Sequence, residues 1–317
     1  VIDLNAMTLP ELYQDFRSSG LLTRLFELAR DEDLGPHLDS SSADPTSHAM
    51  YGATVRGRAA LVARQSGTVA GLAAVEDVLH AFHADVDFLP ATSDGQACKP
   101  RAILGTLEGS MRGMLAAERT LLNTLGRLSG IATRTREFVN AVAHTKAKIY
   151  DTRKTSPGLR LLEKYAVRAG GGCCHRLGLY DAALFKDNHL AELPLAELPA
   201  SLAKAVRRAH DAADRAGLRF VQVEVDTLDQ LRAILSAGGC GCALILLDNM
   251  PPAELREAVG LRDQLARHIQ LEASGGITLE NIAAVAETGV DRISLGTITH
   301  GARWLDIGLD MIDEQAR

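Results

Sequence analysis

A chain of 317 residues is long enough for about two domains, or for one large barrel with an appendage. Its 46% hydrophobic and 23% charged residues suit a sizeable buried core, and at only 4% aromatic content Ala, Leu and Val must do most of the packing. A net charge of −6 argues against a general nucleic-acid binder, whose affinity comes from excess Lys and Arg. No apolar run approaches the roughly 20 residues of a membrane span, so no membrane partner is expected. The N-terminal VIDLNAMTLPELYQDF lacks the basic start of a signal peptide, and the chain is expected in the cytoplasm. The five cysteines, Cys98, Cys173, Cys174, Cys240 and Cys242, are expected as free thiols, because CC and CGC lack the CxxC spacing of structural zinc sites.

Residues 1–35 read as helix. Thr8 is placed to cap it, with Pro10 in the first turn, Glu11 at capping-box spacing, and a stop at Gly35. Residues 36–50, with His37 and His48, read as a polar loop rich in Ser, Pro and Asp. From Ala53 to Leu107 short strand-like runs alternate with turns around one helical segment, EDVLHAFHA. Residues 110–145 then read as helix, with a period near 3.6 that breaks around Ser129 and Gly130.

After Thr145 the pattern becomes regular. Apolar runs at 148–151, 182–185, 220–225, 243–247, 269–273 and 292–295 alternate with helical patterns at 156–168, 191–216, 227–238, 252–266, 279–288 and 302–314. The later runs lie roughly 22–26 residues apart, the tempo of strand–helix–strand units in a parallel sheet or barrel. Six candidate strands leave both open and closed arrangements available.

Each candidate strand delivers polar residues or glycines at its C-terminal end. In order these are Arg153 and Lys154, Lys186, Glu224 with Asp226, Asp248 with Asn249, Ser274 with Gly275 and Gly276, and Ser294 with Gly296. A single such Asp is usually a helix cap, and Asp226 before Thr227 reads well as that. Six in succession converge on the edge where parallel barrels carry their active sites. The stretch 148–190 adds Arg160, Lys164, Arg168, His175, Arg176 and His189 around a Gly170–Gly172 triplet. A run of cations is ordinarily a solvated face. Here cations at strand ends beside a glycine triplet favour an anion pocket, since Arg offers a planar fork and Lys a point charge. Three zones result: cations for carboxylates or pyrophosphate, Glu224 and Asp248 for sugar hydroxyls or Mg²⁺, and SGGI and SLGT for a terminal phosphate.

The motifs AERTLLN (117–123), LSGIAT (128–133), DTRKTSPGLR (151–160), EKYAVRAGGGCCHRLGLYDAALFKDNH (163–189), VEVD (223–226), LLDNM (246–250) and LEASGGITLENI (271–282) resemble the quinolinate phosphoribosyltransferase family. The resemblance runs from Leu115 to Asp310, with the N-terminal third similar only in outline. It implies an α/β fold: an N-terminal α/β sandwich domain, 1–130, and a TIM-like barrel of seven units, 131–301. The C-terminal helix expected at 302–317 is a candidate to return to the first domain. The implied reaction transfers the phosphoribosyl group of PRPP to quinolinate with decarboxylation, giving nicotinate mononucleotide. By the same resemblance Arg153, His175, Arg176 and Lys186 hold the quinolinate carboxylates, and Arg119 enters from the partner of a homodimer. Thr152 lies nearby and Lys154 lies near the pyrophosphate. Glu224 and Asp248 face the ribose hydroxyls and Mg²⁺, while Ser274, Gly275, Gly276, Ser294, Leu295 and Gly296 take the 5-phosphate.

Two other readings compete with this one. A nicotinate phosphoribosyltransferase would leave the cations of Arg119, Arg153, Arg176 and Lys186 in surplus over a monoacid. A silent paralogue that only binds a phosphorylated ligand should have lost Lys154, Glu224 or Asp248, and all three are present.

Overall fold

The computed structural model describes residues 3–35, 44–213 and 217–312. His37 and the end of the 191–216 pattern lie outside them. The chain divides into two compact units. One takes the residues up to Ala6, Glu137–Lys154 and Gly172–Thr297. The other takes Met7–Arg136, Thr155–Gly171 and the residues from Ile298 on. No helix among the described residues is long and apolar enough to cross a membrane.

The second unit begins with α1 (Leu9–Ser18) and α2 (Leu21–Leu34). Thr8 and Glu11 form the expected capping box, and Gly20, in the left-handed region at φ 72, separates the two helices. Part of the expected 36–50 loop is instead a short helix, α3 (Pro45–Met50). The Asp44 carboxylate accepts from the Thr46 and Ser47 N–H groups and so starts a helix at Pro45.

The strands of this unit are β1 (Arg56–Ala63), β2 (Gly67–Thr68), β3 (Val86–Pro90), β4 (Ala97–Cys98) and β5 (Ile103–Ser110), with α4 (Val75–Ala81) between β2 and β3. Helix α5 (Met111–Ala141) then runs unbroken through Ser129 and Gly130. The interruption in its apolar pattern is a packing feature. The Ser129 hydroxyl exchanges hydrogen bonds with the main chain of Ala70, and a side chain at 130 would overlap the Arg303 carbonyl.

Strand β6 (Lys148–Tyr150) opens the other unit. In chain order α6 (Arg160–Ala169) comes next and belongs to the second unit. Then follow β7 (Ala183–Phe185), α7 (Asp187–Leu190), α8 (Leu198–Ala212), β8 (Val221–Val225), α9 (Leu228–Ser236), β9 (Leu244–Asp248), α10 (Pro252–Leu265), β10 (Gln270–Ser274), α11 (Ile282–Ala286) and β11 (Arg292–Ser294), before α12 (Thr297–His300) leads back into the second unit. The helix expected over 302–314 is not formed by its described residues. The chain from 302 to 306 is irregular, and β12 (Ile307–Met311) follows. β12 pairs antiparallel with β1, Ala59 opposite Met311 and Ala63 opposite Ile307, giving the sheet order β12-β1-β5-β3. An open edge on β1 satisfies the IGLDM backbone, and this tertiary partner overrides local helical periodicity.

The parallel sheet has the order β6-β11-β10-β9-β8-β7. Its last strand in sequence, β11, pairs with its first, β6, which is the signature of a sheet closing on itself. Tyr150 also forms a parallel bridge with Cys173, which puts Cys173 in a seventh position between β6 and β7 in chain order. Side chains join this segment to β7: Arg176 Nη1 donates to the Ala182 carbonyl at 3.4 Å, and Asp181 accepts from the Leu177 and Gly178 N–H groups. The fold is thus the expected α/β one, composed of a TIM-like barrel and an antiparallel-sheet domain.

The pleat sorts the barrel strands into two faces. Ile149, Val221, Val223, Val225, Ile245, Leu247, Leu271, Ala273 and Ile293 share one face, and all are buried and apolar. On the other face Glu224, Leu246, Glu272 and Arg292 stand in one register row, with Gln222 below Glu224 and with Asp248 level with Ser274 above. The apolar face builds the core, and the polar face is free to build a site.

Candidate active site

Parallel strands bring all their C-terminal ends to one edge, so the polar residues that follow them converge there. Thr152, Arg153 and Lys154 follow β6, His175 and Arg176 follow the bridge at Cys173, and Lys186 follows β7. Glu224 lies near the end of β8, Asp248 ends β9, Ser274 ends β10 and Ser294 ends β11. Arg119 lies on α5 in the other unit, with its side chain exposed. Lys154 is exposed, and its N–H donates to the Thr152 hydroxyl at 3.0 Å, which tightens the turn after β6.

The charges interlock. Lys186 Nζ lies 2.7 Å from Glu224 Oε2, an ion pair whose carboxylate is nearly buried. Arg176 is buried, and burial pulls its guanidinium below the usual arginine range. The neighbouring Arg153 cation pulls in the same direction, and Asp181 and Glu224 oppose it. Two guanidinium charges that act on one another in a partly buried site suit an anion with more than one negative group.

The carboxylate zone is equally organised. Asn249 adopts φ 52, and its Nδ2 donates to Asp248 Oδ2 at 2.7 Å, orienting that carboxylate. A side chain at Gly275 would run into the Asn249 carboxamide, so the turn after β10 requires glycine for space as well as for its φ of 90. Asn281 closes the same turn: its Nδ2 donates to the Gly276 carbonyl at 3.0 Å, and its Oδ1 accepts from the Thr278 N–H at 2.8 Å.

After β11 the candidates divide. The Ser294 hydroxyl is buried beside Glu272, and the Leu295 N–H donates to the Tyr150 carbonyl at 3.0 Å. Gly296, half-buried, follows them before α12.

His175 sits one layer deeper. Its Nε2 is 2.9 Å from Gln222 Oε1 and 3.4 Å from Glu272 Oε1, and its Nδ1 accepts from the Arg176 N–H at 2.8 Å. Burial pushes the Glu272 carboxyl up, but His175, Ser294 and Arg292 together hold it below the usual carboxylate range. Sequence reasoning missed Gln222, Glu272 and the orienting role of Asn249. The available signal was the polar residue at every second place in VQVEV and QLEAS.

Among the described residues no group of three or more His, Cys, Asp or Glu side chains is arranged to hold a metal, and all five cysteines are free. Glu224 and Asp248 supply hard oxygen donors at adjacent strand ends. That suits a divalent cation such as Mg²⁺, which takes one or two carboxylates and completes its shell with water and substrate phosphates.

A parallel barrel with paired guanidiniums, carboxylates and glycine turns on one rim defines an enzyme for multiply anionic substrates. The chain belongs to the quinolinate phosphoribosyltransferase family: residues 44–129 match the N-terminal domain of that family and residues 131–310 its C-terminal domain. It is 44% identical over 295 residues to the carboxylating nicotinate-nucleotide pyrophosphorylase of Mycobacterium leprae, spanning 90% of this chain and 98% of that one. It is 34% identical over 308 residues to the mitochondrial decarboxylating quinolinate phosphoribosyltransferase 2 of Nicotiana glauca, spanning 93% and 83%. The structure matches that of the nicotinate-nucleotide pyrophosphorylase from Francisella tularensis with a TM-score of 0.80 at 32% identity, over 98% of this chain and 100% of that one.

Proposed function

We propose that the chain transfers the phosphoribosyl group of PRPP to the ring nitrogen of quinolinate, releasing pyrophosphate and carbon dioxide. The product is nicotinate mononucleotide, an intermediate of de novo NAD biosynthesis. Family membership supports the reaction, and the observation that carries it at the site is the buried Arg176 guanidinium beside Arg153. Such a pair suits a dicarboxylate and is wasteful for a monocarboxylate.

In this reading Arg153, Arg176 and Lys186, with His175 beside them, receive the two carboxylates, and Thr152 lies nearby. Lys154, exposed at the turn after β6, lies near the pyrophosphate. Glu224 and Asp248 face the ribose hydroxyls. Ser274, Gly275 and Gly276 cradle the 5-phosphate with main-chain N–H groups, together with the Ser294–Gly296 turn. Glu224 and Asp248 would also hold Mg²⁺, which when bound would offset the negative charge of departing pyrophosphate.

The chain's own contribution is orientation and charge. Holding the ring nitrogen in line with the anomeric carbon supplies proximity as the C–O bond to pyrophosphate breaks and the N–C bond forms. The positive charge of the resulting pyridinium stabilises the electron pair left on the adjacent ring carbon when its carboxylate departs as carbon dioxide, and that carbon then takes a proton from solvent. No general base is required. We further propose a cytoplasmic homodimer in which Arg119 of each subunit completes the partner's site. The five free cysteines suit a reducing compartment.

Incubation with quinolinate, PRPP and Mg²⁺ should yield nicotinate mononucleotide and carbon dioxide in equal amounts. Nicotinate in place of quinolinate should give little product. Comparable product from equimolar nicotinate overturns the substrate assignment.

A further inference from the structure

The interior row of the barrel contains a carboxylate for which the proposed reaction has no use. Glu272 and Gln222 are fully buried on β10 and β8, and His175 is 5% exposed. A buried Glu is rare because desolvating it is costly, and it persists where other groups need its charge or its acceptor oxygens. Here the compensation is local. Arg292 is the register neighbour of Glu272 on β11, and the Ser294 hydroxyl and the His175 imidazole lie beside it.

The hydrogen bonds of His175 fix where its proton sits. A main-chain N–H can only donate, so the Nδ1 that faces the Arg176 N–H at 2.8 Å must carry a lone pair. The ring proton therefore sits on Nε2, which points at Gln222 Oε1 at 2.9 Å with Glu272 Oε1 at 3.4 Å. Edge-on packing against Phe220, with centroids 5.1 Å apart, and against Tyr150, at 6.4 Å, leaves the ring little freedom to turn.

We propose that Gln222 and Glu272 are positioning residues for the reaction. By holding the Nε2 proton of His175 they keep Nδ1 as the acceptor for the Arg176 N–H, and so fix the main chain from which the Arg176 guanidinium enters the site. This rests on the reading that Arg176 receives a substrate carboxylate. The interior pair acts at a distance, as outer partners do when they set the tautomer of a histidine ligand. Its loss affects the dicarboxylate substrate and leaves PRPP use near normal.

The test combines a spectrum with kinetics on the full-length enzyme. Long-range proton–nitrogen correlation spectra report the tautomer of each histidine, with His175 assigned by its disappearance in His175→Asn. The wild-type signal should be the Nε2-protonated form, and an Nδ1-protonated signal overturns the proposal outright. Gln222→Met and Glu272→Met remove the acceptors while filling similar volume. They should mix the tautomers and raise the KM for quinolinate about ten- to hundredfold, with the KM for PRPP within about twofold.

Gln222→Glu and Glu272→Gln keep an acceptor oxygen and should restore both the tautomer and the quinolinate KM. Where a Met variant does not fold, these two decide: a large rise in quinolinate KM despite the retained acceptor overturns the proposal. Equal rises in both KM values in folded Met variants would show a merely structural cluster and likewise overturn it. Arg176→Ala is measured alongside. An unchanged quinolinate KM there removes the reading of Arg176 itself. Impairment there with unchanged Met variants overturns the positioning role alone.

Discussion

Lys186 Nζ and Glu224 Oε2 lie 2.7 Å apart, joining a cation assigned to quinolinate to a carboxylate assigned to ribose. Each partner holds the other in place, so the two substrate zones meet at this pair. Removing the Glu224 charge releases Lys186 to serve a substrate carboxylate undivided. Glu224→Gln should therefore leave quinolinate binding unchanged or tighter, while binding of PRPP weakens by about 10- to 150-fold, the equivalent of one lost charge-assisted hydrogen bond at about 1.5–3 kcal/mol. Isothermal titration with each substrate separates the two effects. Quinolinate binding that collapses while PRPP binding survives would reverse the zone map.

The barrel was legible because its signals are local and repeated. Strands such as VQVEV and LILLD carry an unbroken apolar face, and their polar ends fall at regular intervals, so both the elements and the rim could be placed before any contact was known. Features set by distant partners were not legible. The strand at Ile307–Met311 exists because β1 offers an edge, and Gly130 breaks the pattern of α5 because the Arg303 carbonyl lies against it. Glu272 reads as an ordinary polar position in a strand until the fold seals it from solvent and sets His175 against it. The same holds for Asn249, whose service to Asp248 depends on a left-handed backbone that the dipeptide alone does not dictate.

A second prediction concerns stability and pH. Asp291 accepts from Lys146 at 2.8 Å, from Arg262 at 2.6 Å and from the Leu271 N–H at 2.9 Å, and so ties the start of β10 to α10. Partial burial pushes its carboxyl up, but these donors outweigh burial and hold it below the usual aspartate range. A carboxyl depressed in the folded state contributes stability above its unfolded pKa, about 3.9, and loses it as pH falls through the folded value. Asp291→Asn should thus cost about 1.5–3 kcal/mol at neutral pH. The gap between wild type and variant should hold down to about pH 4 and shrink below it. Urea unfolding at pH 7 and pH 3 checks the sign, and a gap that widens in acid contradicts the assignment.

The final prediction addresses Arg119, exposed on α5 and assigned to the partner's site. Arg119→Ala and Lys186→Ala, prepared separately, should each be nearly inactive, because each removes a cation from every site. Dissociated together and reassembled in equal amounts, about half the dimers should be mixed, given a two-fold isologous interface. In a mixed dimer the Arg119→Ala chain keeps its own Lys186 and receives an intact Arg119 from its partner, so its site is whole. The site on the Lys186→Ala chain carries both lesions. One whole site in each mixed dimer returns activity to about a quarter of wild type by the same counting. If Arg119 served its own chain, every site in the mixture would carry one lesion and mixing would restore nothing. Subunit exchange, verified by mass spectrometry of differently labelled chains, with no recovered activity would rule out a site shared between subunits.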